Sequence, residues 1–352
     1  MRLEPREKPS LLITLAYPAL AILAVLIFAG FLVSLSGANP FSVFGLVLKG
    51  ATGSQFALFE TLTRATPLIF TGLAAAVAFR AKLWNIGAEA QLYMGAVATV
   101  VFGTGLLPLP APVLIPILLI VAALAGALTL LGPAFLKVRF GVDEVVTTLL
   151  LNFIVILFVS LLLEGPLKDP MGMGWPQTKK VIAEAQLPKL IQGKRLHLGF
   201  ILALVAAVTV WIVNTRTALG YEMKAVGFNR QAARFTGMKV DRVMLKTALL
   251  SGGLAGLAGL SEVAGLKGNL TLDLSPSSFG FGYAGIVVAM LALLNPLGVV
   301  VAAIFVAGIF VGADAMSRTA QVPSYIAQVM VAAALLTMVT AVMFTRYRLR
   351  WK

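Results

Sequence analysis

Long, nearly uninterrupted apolar runs restrict the fold of this sequence more than any other feature. One of them, LLITLAYPALAILAVLIFAGFLVSL, follows the polar segment MRLEPREKPS, and similar runs recur to the end of the chain. A helix needs about 20 apolar residues to cross a bilayer. Of the 352 residues, 59% are hydrophobic and only 12% are charged, about half the charge of a soluble domain. Because the runs are continuous and do not alternate as barrel strands do, the sequence predicts an all-α polytopic membrane protein.

The runs predict ten transmembrane helices in a single domain, residues 1–352. The first run is longer than the core of a signal peptide, so we expect a retained helix. The eighth run ends at Asn295-Pro296, which is a turn signal and predicts a tight hairpin with the ninth. The predicted spans are 11–34, 62–81, 85–103, 111–135, 144–163, 198–215, 245–264, 283–294, 297–313 and 324–345.

The basic residues predict the orientation of the chain. Cytoplasmic loops of membrane proteins are enriched in Lys and Arg. Most of the 28 basic residues lie on the cytoplasmic side if both termini are cytoplasmic. Ten spans agree with this, because an even number places both termini on the same side of the membrane. Residues 165–197 are then an external loop and residues 216–246 a cytoplasmic one. The net charge of +14 also suits nucleic-acid binding, but these charges lie between apolar runs, so we expect membrane lipid and no nucleic acid as a partner.

The residue inventory argues against catalysis by this chain. Cys is absent and His197 is the single His, which excludes disulfides, thiolate metal sites and His-rich zinc clusters. We expect His197 to be exposed in the external loop. The spans hold no nucleophile–base pair, so an intramembrane enzyme is a weak alternative. An ion-coupled secondary transporter is another, but its coupling acids would lie deep in the spans, whereas the acidic residues here lie near span ends.

The cytoplasmic loop reads TRTALGYEMKAVGFNRQAARFTGMKVDRV. Asn229 as an N-cap and Gly237 as a C-cap predict a helix of about two turns along the membrane surface. Two neighbouring alanines would form a small close-approach face, and two arginines four residues apart a basic face. The loop is either a simple basic segment or a docking helix for a cytoplasmic partner. The candidate docking residues are Gly227, Asn229, Arg230, Ala232, Ala233, Arg234 and Gly237.

Several polar residues lie within the apolar runs, where they are costly and face the protein interior or a water-filled path. Asn85 and Glu89 are four residues apart and are expected on one helix face, although Gly87 between them suggests an irregular segment. Asn152 lies deep in the fifth span. Each of the three is either a group that lines a substrate path or an interhelical lock.

Two glycine-containing motifs stand out. In GNLTLDLSPSSFGFGYAG, Phe279, Phe281 and Tyr283 alternate with glycines; such aromatic faces suit stacking on a nucleobase or anchoring at the membrane interface. In SGGLAGLAGL, small residues recur along one helix face and predict close helix–helix packing.

Four blocks resemble permease subunits of bacterial ABC importers of the ribose and nucleoside type. They read RATPLIFTGLAAAVAFRAKLWNIGAEAQLYMGA, GVDEVVTTLLLNFI, ALGYEMKAVGFNRQAARFTGMKV and FGFGYAGIVVAMLALLNPLG. The sugar branch usually has an Asp-Leu-Ser-Val-Gly block where this chain has NIGAEAQ. The chain therefore looks more like the nucleoside branch, which is associated with basic-membrane-protein lipoproteins. One departure from that branch is Ala90, where a Gly is commoner.

This resemblance implies a type II permease fold, related to that of the cobalamin importer's permease. It implies import of a nucleoside or, alternatively, of a monosaccharide such as ribose, across a bacterial cytoplasmic membrane. The implied partners are a cytoplasmic ATP-binding subunit that holds ATP and Mg²⁺, a second permease subunit in a heterodimer, and an extracytoplasmic substrate-binding lipoprotein. It places coupling to the ATPase in the segment Gly220–Gly237. No cofactor is implied for this chain itself.

Overall fold

The computed structural model describes residues 2–5, 11–35, 37, 39–274, 280–320, 325–326, 329, 332–333, 336–337, 340–341, 344 and 347–350. These residues are helical apart from turns, connecting segments and two short strands. The chain forms two compact units, residues 1–61 with 305–352 and residues 62–304.

The first unit holds both ends of the chain. Its elements are β1 (Arg2–Pro5), α1 (Leu11–Leu35), α2 (Pro40–Thr52), the start of α3 (Gln55–Arg80), the end of α12 (Pro296–Ala320) and β2 (Tyr347–Arg350). The second half of α1 and α2 meet at a bend of 115°, where Asn39 caps α2 by accepting a hydrogen bond from the backbone N–H of Phe41. Strands β1 and β2 pair antiparallel, so the two ends of the chain lie side by side. Neither α2 nor the strands were predicted from the sequence.

The second unit is a helical bundle. Its elements are the rest of α3, α4 (Ala88–Gly103), α5 (Ala111–Phe140), α6 (Glu144–Glu164), a 3₁₀ turn (Ala183–Ala185), α7 (Gly199–Arg216), α8 (Ala218–Phe228), α9 (Arg230–Phe235), α10 (Val240–Glu262) with a π-helical extension (Val263–Lys267), α11 (Phe281–Leu291) and the start of α12. We call its two ends the basic end, which carries Lys82, Lys137, Arg216 and α9, and the opposite end, which carries residues 165–198.

Helices α4, α5 and α10 form the centre of this bundle through glycine contacts. A Cβ added to Gly256 of α10 would lie 2.2 Å from the carbonyl oxygen of Ala122 in α5. One added to Gly95 of α4 would lie 2.2 Å from the carbonyl oxygen of Gly256. Backbones this close leave no room for a side chain. The close packing predicted for SGGLAGLAGL is therefore confirmed, and it fits the use of small residues where helices associate in lipid.

Each predicted span except the last coincides with a helix, with shifted bounds. Helix α3 begins at Gln55 instead of residue 62, α4 begins at Ala88 instead of 85, and α5 ends at Phe140 instead of 135. The tenth span, 324–345, lies largely outside the described residues. Within the described residues, six helices are long and apolar enough to cross a membrane, and α1 with α2 would add a seventh as one bent span. Helices α4 and α11 are shorter than that, with 16 and 11 residues.

The predicted external loop is an ordered cover on the opposite end of the bundle. The backbone N–H of Ile182 donates to the carbonyl of Gly103 at the end of α4 (2.9 Å), and that of Leu187 donates to Ala264 in the π-helical extension of α10 (2.8 Å). His197 is 1% exposed, so the expectation of an exposed His was wrong. Its Nδ1 accepts a hydrogen bond from the backbone N–H of Gly199 (3.1 Å), and its ring packs against Gly265.

We predict that the α5–α10 contact does not tolerate a methyl group. Gly256→Ala places Cβ 2.2 Å from backbone, so the helices must separate, and we expect a loss of about 1–3 kcal/mol, measured as a lower melting temperature in detergent. Gly253→Ala is the matched control, because its Cβ would lie 3.4 Å from the nearest atom and Ala favours a helix over Gly. Equal melting of the two variants would contradict this account of the packing.

We predict that His197 makes the opposite end sensitive to acid. Burial lowers the pKa of His197 to about 4, from about 6.5 in an exposed His. Above pH 6.5 the ring is neutral both when the loop 165–197 packs on the bundle (docked) and when it does not (undocked). In that range the docking of the loop does not depend on pH. Below pH 6.5 His197 takes up a proton in the undocked state but not in the docked state. The free energy that favours docking of the loop therefore falls by about 2 kcal/mol between pH 7 and pH 5.

The control for this prediction is His197→Asn, which keeps an acceptor near Nδ1 but does not titrate. Thermal unfolding of both proteins at pH 7 and pH 5 separates the contribution of His197 from that of the rest of the protein. An identical loss of melting temperature in the two proteins would show that His197 does not contribute.

Candidate functional site

The junction between α3 and α4, residues Ala81–Gly87, is the irregular segment at the centre of the site. Lys82 has a positive φ of 52°, and the backbone N–H of Leu83 donates to Ala78 to close α3 (3.0 Å). Residues 84–87 then run without helical structure before α4 begins at Ala88. The buried backbone groups of such a segment need partners, and side chains of neighbouring helices supply them. The irregular segment that Gly87 suggested is confirmed.

Asn85 is fully buried, and protein groups occupy its amide. Its Nδ2 donates to Gln91 Oε1 (2.9 Å) and to Ser251 Oγ in α10 (3.1 Å). Its Oδ1 accepts from Gln91 Nε2 (2.8 Å) and from the backbone N–H of Gly87 (3.0 Å). Ser251 Oγ in turn donates to the carbonyl of Ala74 in α3 (2.7 Å). In this conformation Asn85 therefore joins the junction to α3, α4 and α10.

Glu89 lies on α4, whereas Asn85 precedes that helix, so the prediction that they share one helix face was wrong. The carboxylate of Glu89 meets the N-terminus of α11, where the backbone N–H of Gly282 donates to Oε2. A Cβ added to Gly280 would lie 2.6 Å from the carboxyl carbon, and Gly280 has a φ of +67°. The glycines of FGFGYAG thus allow close approach of a carboxylate to a helix N-terminus, which carries partial positive charge.

Asn152 of α6 connects three elements at once. Its Oδ1 accepts from the backbone N–H of Ala90 (2.9 Å), and its Nδ2 donates to the carbonyl of Ile86 (2.9 Å) and to Tyr283 Oη of α11 (2.8 Å). One turn earlier on α6, Thr148 Oγ1 accepts from the backbone N–H of Ile86 (3.2 Å). Glu144, Thr148 and Asn152 recur every four residues along α6, and this polar stripe binds the junction.

The aromatic residues of the α11 motif differ in their surroundings. Phe281 is 1% exposed, and its carbonyl accepts from Thr71 Oγ1 of α3 (2.9 Å). Tyr283 is partly exposed, while Phe279 lies outside the described residues. The structure thus brings Asn85, Glu89 and Asn152 into one buried polar network with the start of α11. The sequence analysis did not identify Gln91, Ser251 and Thr71 as members; their signal was polarity at buried helix positions. It assigned Tyr283 to base stacking or membrane anchoring, not to this network.

A second candidate surface lies at the basic end, in α8 and α9. Asn229 caps α9, as its Oδ1 accepts from the backbone N–H groups of Gln231 (2.9 Å) and Ala232 (3.1 Å). The predicted N-cap is therefore confirmed. The predicted C-cap is one residue off, because α9 has only six residues and its C-cap is Thr236; Gly237 follows with a φ of +86°. Helix α8 was not predicted. Its Gly227 is helical and buried, and a Cβ there would lie 2.1 Å from the carbonyl oxygen of Arg80.

The predicted docking residues divide into an inward and an outward set. Ala233 is buried and Arg230 Nη2 donates to the carbonyl of Lys82 (3.2 Å), so these two residues face the bundle. Ala232 is exposed, and Arg234 forms an exposed ion pair with Asp241 of α10 (3.3 Å). The two alanines therefore do not share a face. The sequence analysis missed two large apolar side chains on the outward side, Phe228 and Phe235, which are 75% and 92% exposed.

Comparison with known proteins finds one family whose model matches most of this chain. The family described as branched-chain amino acid transport system / permease component matches residues 57–340. The chain is 35% identical to the guanosine ABC transporter permease protein NupP of Bacillus subtilis, over 92% of each chain. It is 30% identical to the nucleoside ABC transporter permease protein NupB of Lactococcus lactis, over 90% of this chain and 88% of that one.

A relative with a different named substrate matches equally well. The glucose ABC transporter permease protein TsgB13 of Haloferax volcanii is 34% identical over 99% of this chain and 93% of its own length. The two organisms with the nucleoside relatives each have a second, more distant match. These are NupQ of Bacillus subtilis, 28% identical over 70% of this chain, and NupC of Lactococcus lactis, 26% identical over 69%.

We predict that the bonds of Asn152 stabilise the bundle. Asn152→Leu leaves the backbone N–H of Ala90 and the carbonyl of Ile86 without their partner, and we expect a loss of about 2–4 kcal/mol, measured by thermal unfolding in detergent. Asn214→Leu is the matched control, because Asn214 is also buried but its side-chain atoms have no hydrogen-bond partner among the described residues. We expect it to melt at or above the wild-type temperature. A similar loss in both variants would contradict the specific role of Asn152.

Proposed function

We propose a nucleoside-import function for this chain, which belongs to the family described as branched-chain amino acid transport system / permease component. Its helices long enough to span a membrane suit such a permease subunit. The observation that carries the substrate is the similarity, over about nine-tenths of the chain, to permeases named for guanosine and for nucleosides. The block NIGAEAQ, where the sugar branch usually differs, supports the same choice.

The buried polar network supports transport of a hydrogen-bonding solute. Nucleosides present amide, amine and hydroxyl groups, and a path for them must satisfy these groups in turn. In our proposal, Asn85, Glu89 and Asn152 lie beside the substrate path. Movement of α11 exposes Glu89, Asn152 and Phe281 to the solute. Asn85 keeps its protein partners and holds the junction. Phe279 is proposed to stack on the base.

A monosaccharide is the second candidate substrate, because the relative named for glucose matches nearly the whole chain. The buried polar network offers a sugar the same amide and carboxylate groups that it offers a nucleoside. A sugar needs no aromatic face of nucleobase size, so the contribution of the α11 aromatics distinguishes the two substrates.

The proposed topology has ten transmembrane helices in a type II permease fold in a bacterial cytoplasmic membrane. The basic end is cytoplasmic, because Lys and Arg concentrate on that side of membrane proteins. The pairing of β1 with β2 supports both termini on one side of the membrane, as an even span count requires. The covered opposite end is then extracytoplasmic and receives solute from a binding lipoprotein.

We assign ATP hydrolysis, with its ATP and Mg²⁺, to a separate cytoplasmic ATPase that docks on α8 and α9. The exposed Phe228 and Phe235, next to Lys224 and Arg234, provide apolar anchors within a basic surface, as docking interfaces require. A second permease subunit of related sequence completes the path, by analogy with the pairs of permeases named NupP with NupQ and NupB with NupC.

The test is uptake of labelled guanosine, adenosine, uridine, ribose and glucose into cells that carry or lack this chain. We expect deletion to abolish ATP-dependent nucleoside uptake and leave sugar uptake unchanged. The measurement is the initial rate of uptake, with and without ATP depletion, and with competing unlabelled nucleosides to rank the bases.

Other outcomes would revise the proposal in distinct ways. Loss of glucose or ribose uptake with unchanged nucleoside uptake would assign the chain to sugars. Nucleoside uptake that survives ATP depletion but stops when the proton gradient is dissipated would overturn the ABC mechanism.

A further inference from the structure

We propose that the junction Ala81–Gly87 is the connector that transmits movement of α9 to the buried polar network. The inference rests on the proposed function, because it takes α9 as the element that an ATPase moves. It identifies Arg230 as a positioning residue that faces inward, and thereby separates its role from that of the outward-facing Arg234.

The first part of the argument is the contact between α8–α9 and the start of the junction. Arg230 Nη2 donates to the carbonyl of Lys82 (3.2 Å). Gly227 lies against the carbonyl of Arg80 so closely that a Cβ has no room. A displacement of α8 and α9 toward the bundle therefore presses directly on the end of α3 and on Lys82.

The second part is the contact between the rest of the junction and α6. The backbone N–H of Trp84 donates to Glu144 Oε1 (3.4 Å), whose other oxygen pairs with Lys137. Two residues later, Ile86 is bonded at its N–H by Thr148 and at its carbonyl by Asn152. The junction thus runs along the first turns of α6, attached by hydrogen bonds at alternate residues.

The third part is the end of the junction, which enters the polar network. Asn85 joins it to Ser251 of α10, and Asn152 joins it to Tyr283 of α11. Glu89, the second residue of α4, holds the N-terminus of α11. A shift of the junction therefore changes the bonds that hold α11, the helix whose movement would expose the path.

The surroundings of the junction permit such a shift. A cavity of about 420 Å³ opens beside it at the basic end, lined by Lys82, Trp84, Glu144, Phe228 and Arg230 among others. Helix α9 also contacts α10, where Arg234 pairs with Asp241 and Arg230 Nη2 lies 4.0 Å from Met244 Sδ. Helix α10 is in direct backbone contact with α4 and α5, and close-packed interiors deform little. The junction is bonded to α9, and its Lys82 and Trp84 are exposed on the side of this cavity.

The first experiment compares the two arginines in the reconstituted transporter with its ATPase and an added solute, guanosine. Arg230→Ala removes the bond to Lys82, and we expect the number of guanosine molecules transported per ATP hydrolysed to fall about tenfold. Arg230→Lys keeps a donor and should recover part of the loss. Arg234→Ala removes a charge from the docking surface on the same short helix. Weaker docking lowers transport and ATP hydrolysis together, so the ratio of the two should stay within about twofold of wild type. A ratio unchanged in Arg230→Ala, or reduced equally in both Ala variants, overturns the proposal.

A second measurement does not depend on the solute. The sequence has no Cys, so Trp84→Cys introduces a single thiol at a partly exposed position of the junction, which an environment-sensitive fluorophore can label. Addition of ATP to the complex should shift its emission in the wild-type and Arg234→Ala backgrounds but not in Arg230→Ala. A shift that persists in Arg230→Ala overturns the connector. Absence of ATP-dependent uptake of every tested solute would instead overturn the proposed function.

Discussion

The bundle depends on how one non-helical segment satisfies its backbone in a non-aqueous interior. Residues 84–87 have left one helix and not yet entered the next, so their backbone groups lack helical partners except the carbonyl of Gly87, which accepts from Gln91. Side chains of Thr148, Asn152 and Glu144 bind three of these groups, and Asn85 binds a fourth. Since an unpaired amide in such surroundings costs several kcal/mol, the position of α6 relative to the junction follows from these bonds.

This arrangement combines a rigid centre with a segment that is able to move. Helices α4, α5 and α10 meet through glycines at backbone contact distance, and such packing has few alternative arrangements. The junction and the N-terminus of α11 are held mainly by polar bonds, which exchange one partner for another at small net cost. A transport subunit needs both properties, because the path must open while the scaffold around it keeps its shape.

Local sequence patterns predicted much of the fold. Apolar runs indicated α1, α6 and α7 nearly to the residue, and Asn229 marked the start of α9. The failures have identifiable causes. Helix α8 was missed because Gly220 and Gly227 suggested breaks, although both are helical glycines where another backbone approaches. Helix α2 is short, and the pairing of β1 with β2 joins the two ends of the chain, which no local pattern records.

The sequence by itself determined the class of protein, the main helices and the presence of costly polar groups within apolar runs. Only the tertiary structure decided what those groups bind. Asn85 and Glu89 are four residues apart, yet one turns to α10 and the other to α11, because α4 begins between them. Likewise Arg230 and Arg234 lie on one short helix and both contact α10, but only Arg230 also bonds the junction. Hydrophobicity and capping are local properties of the chain, whereas the partner of a buried polar side chain is set by residues distant in sequence.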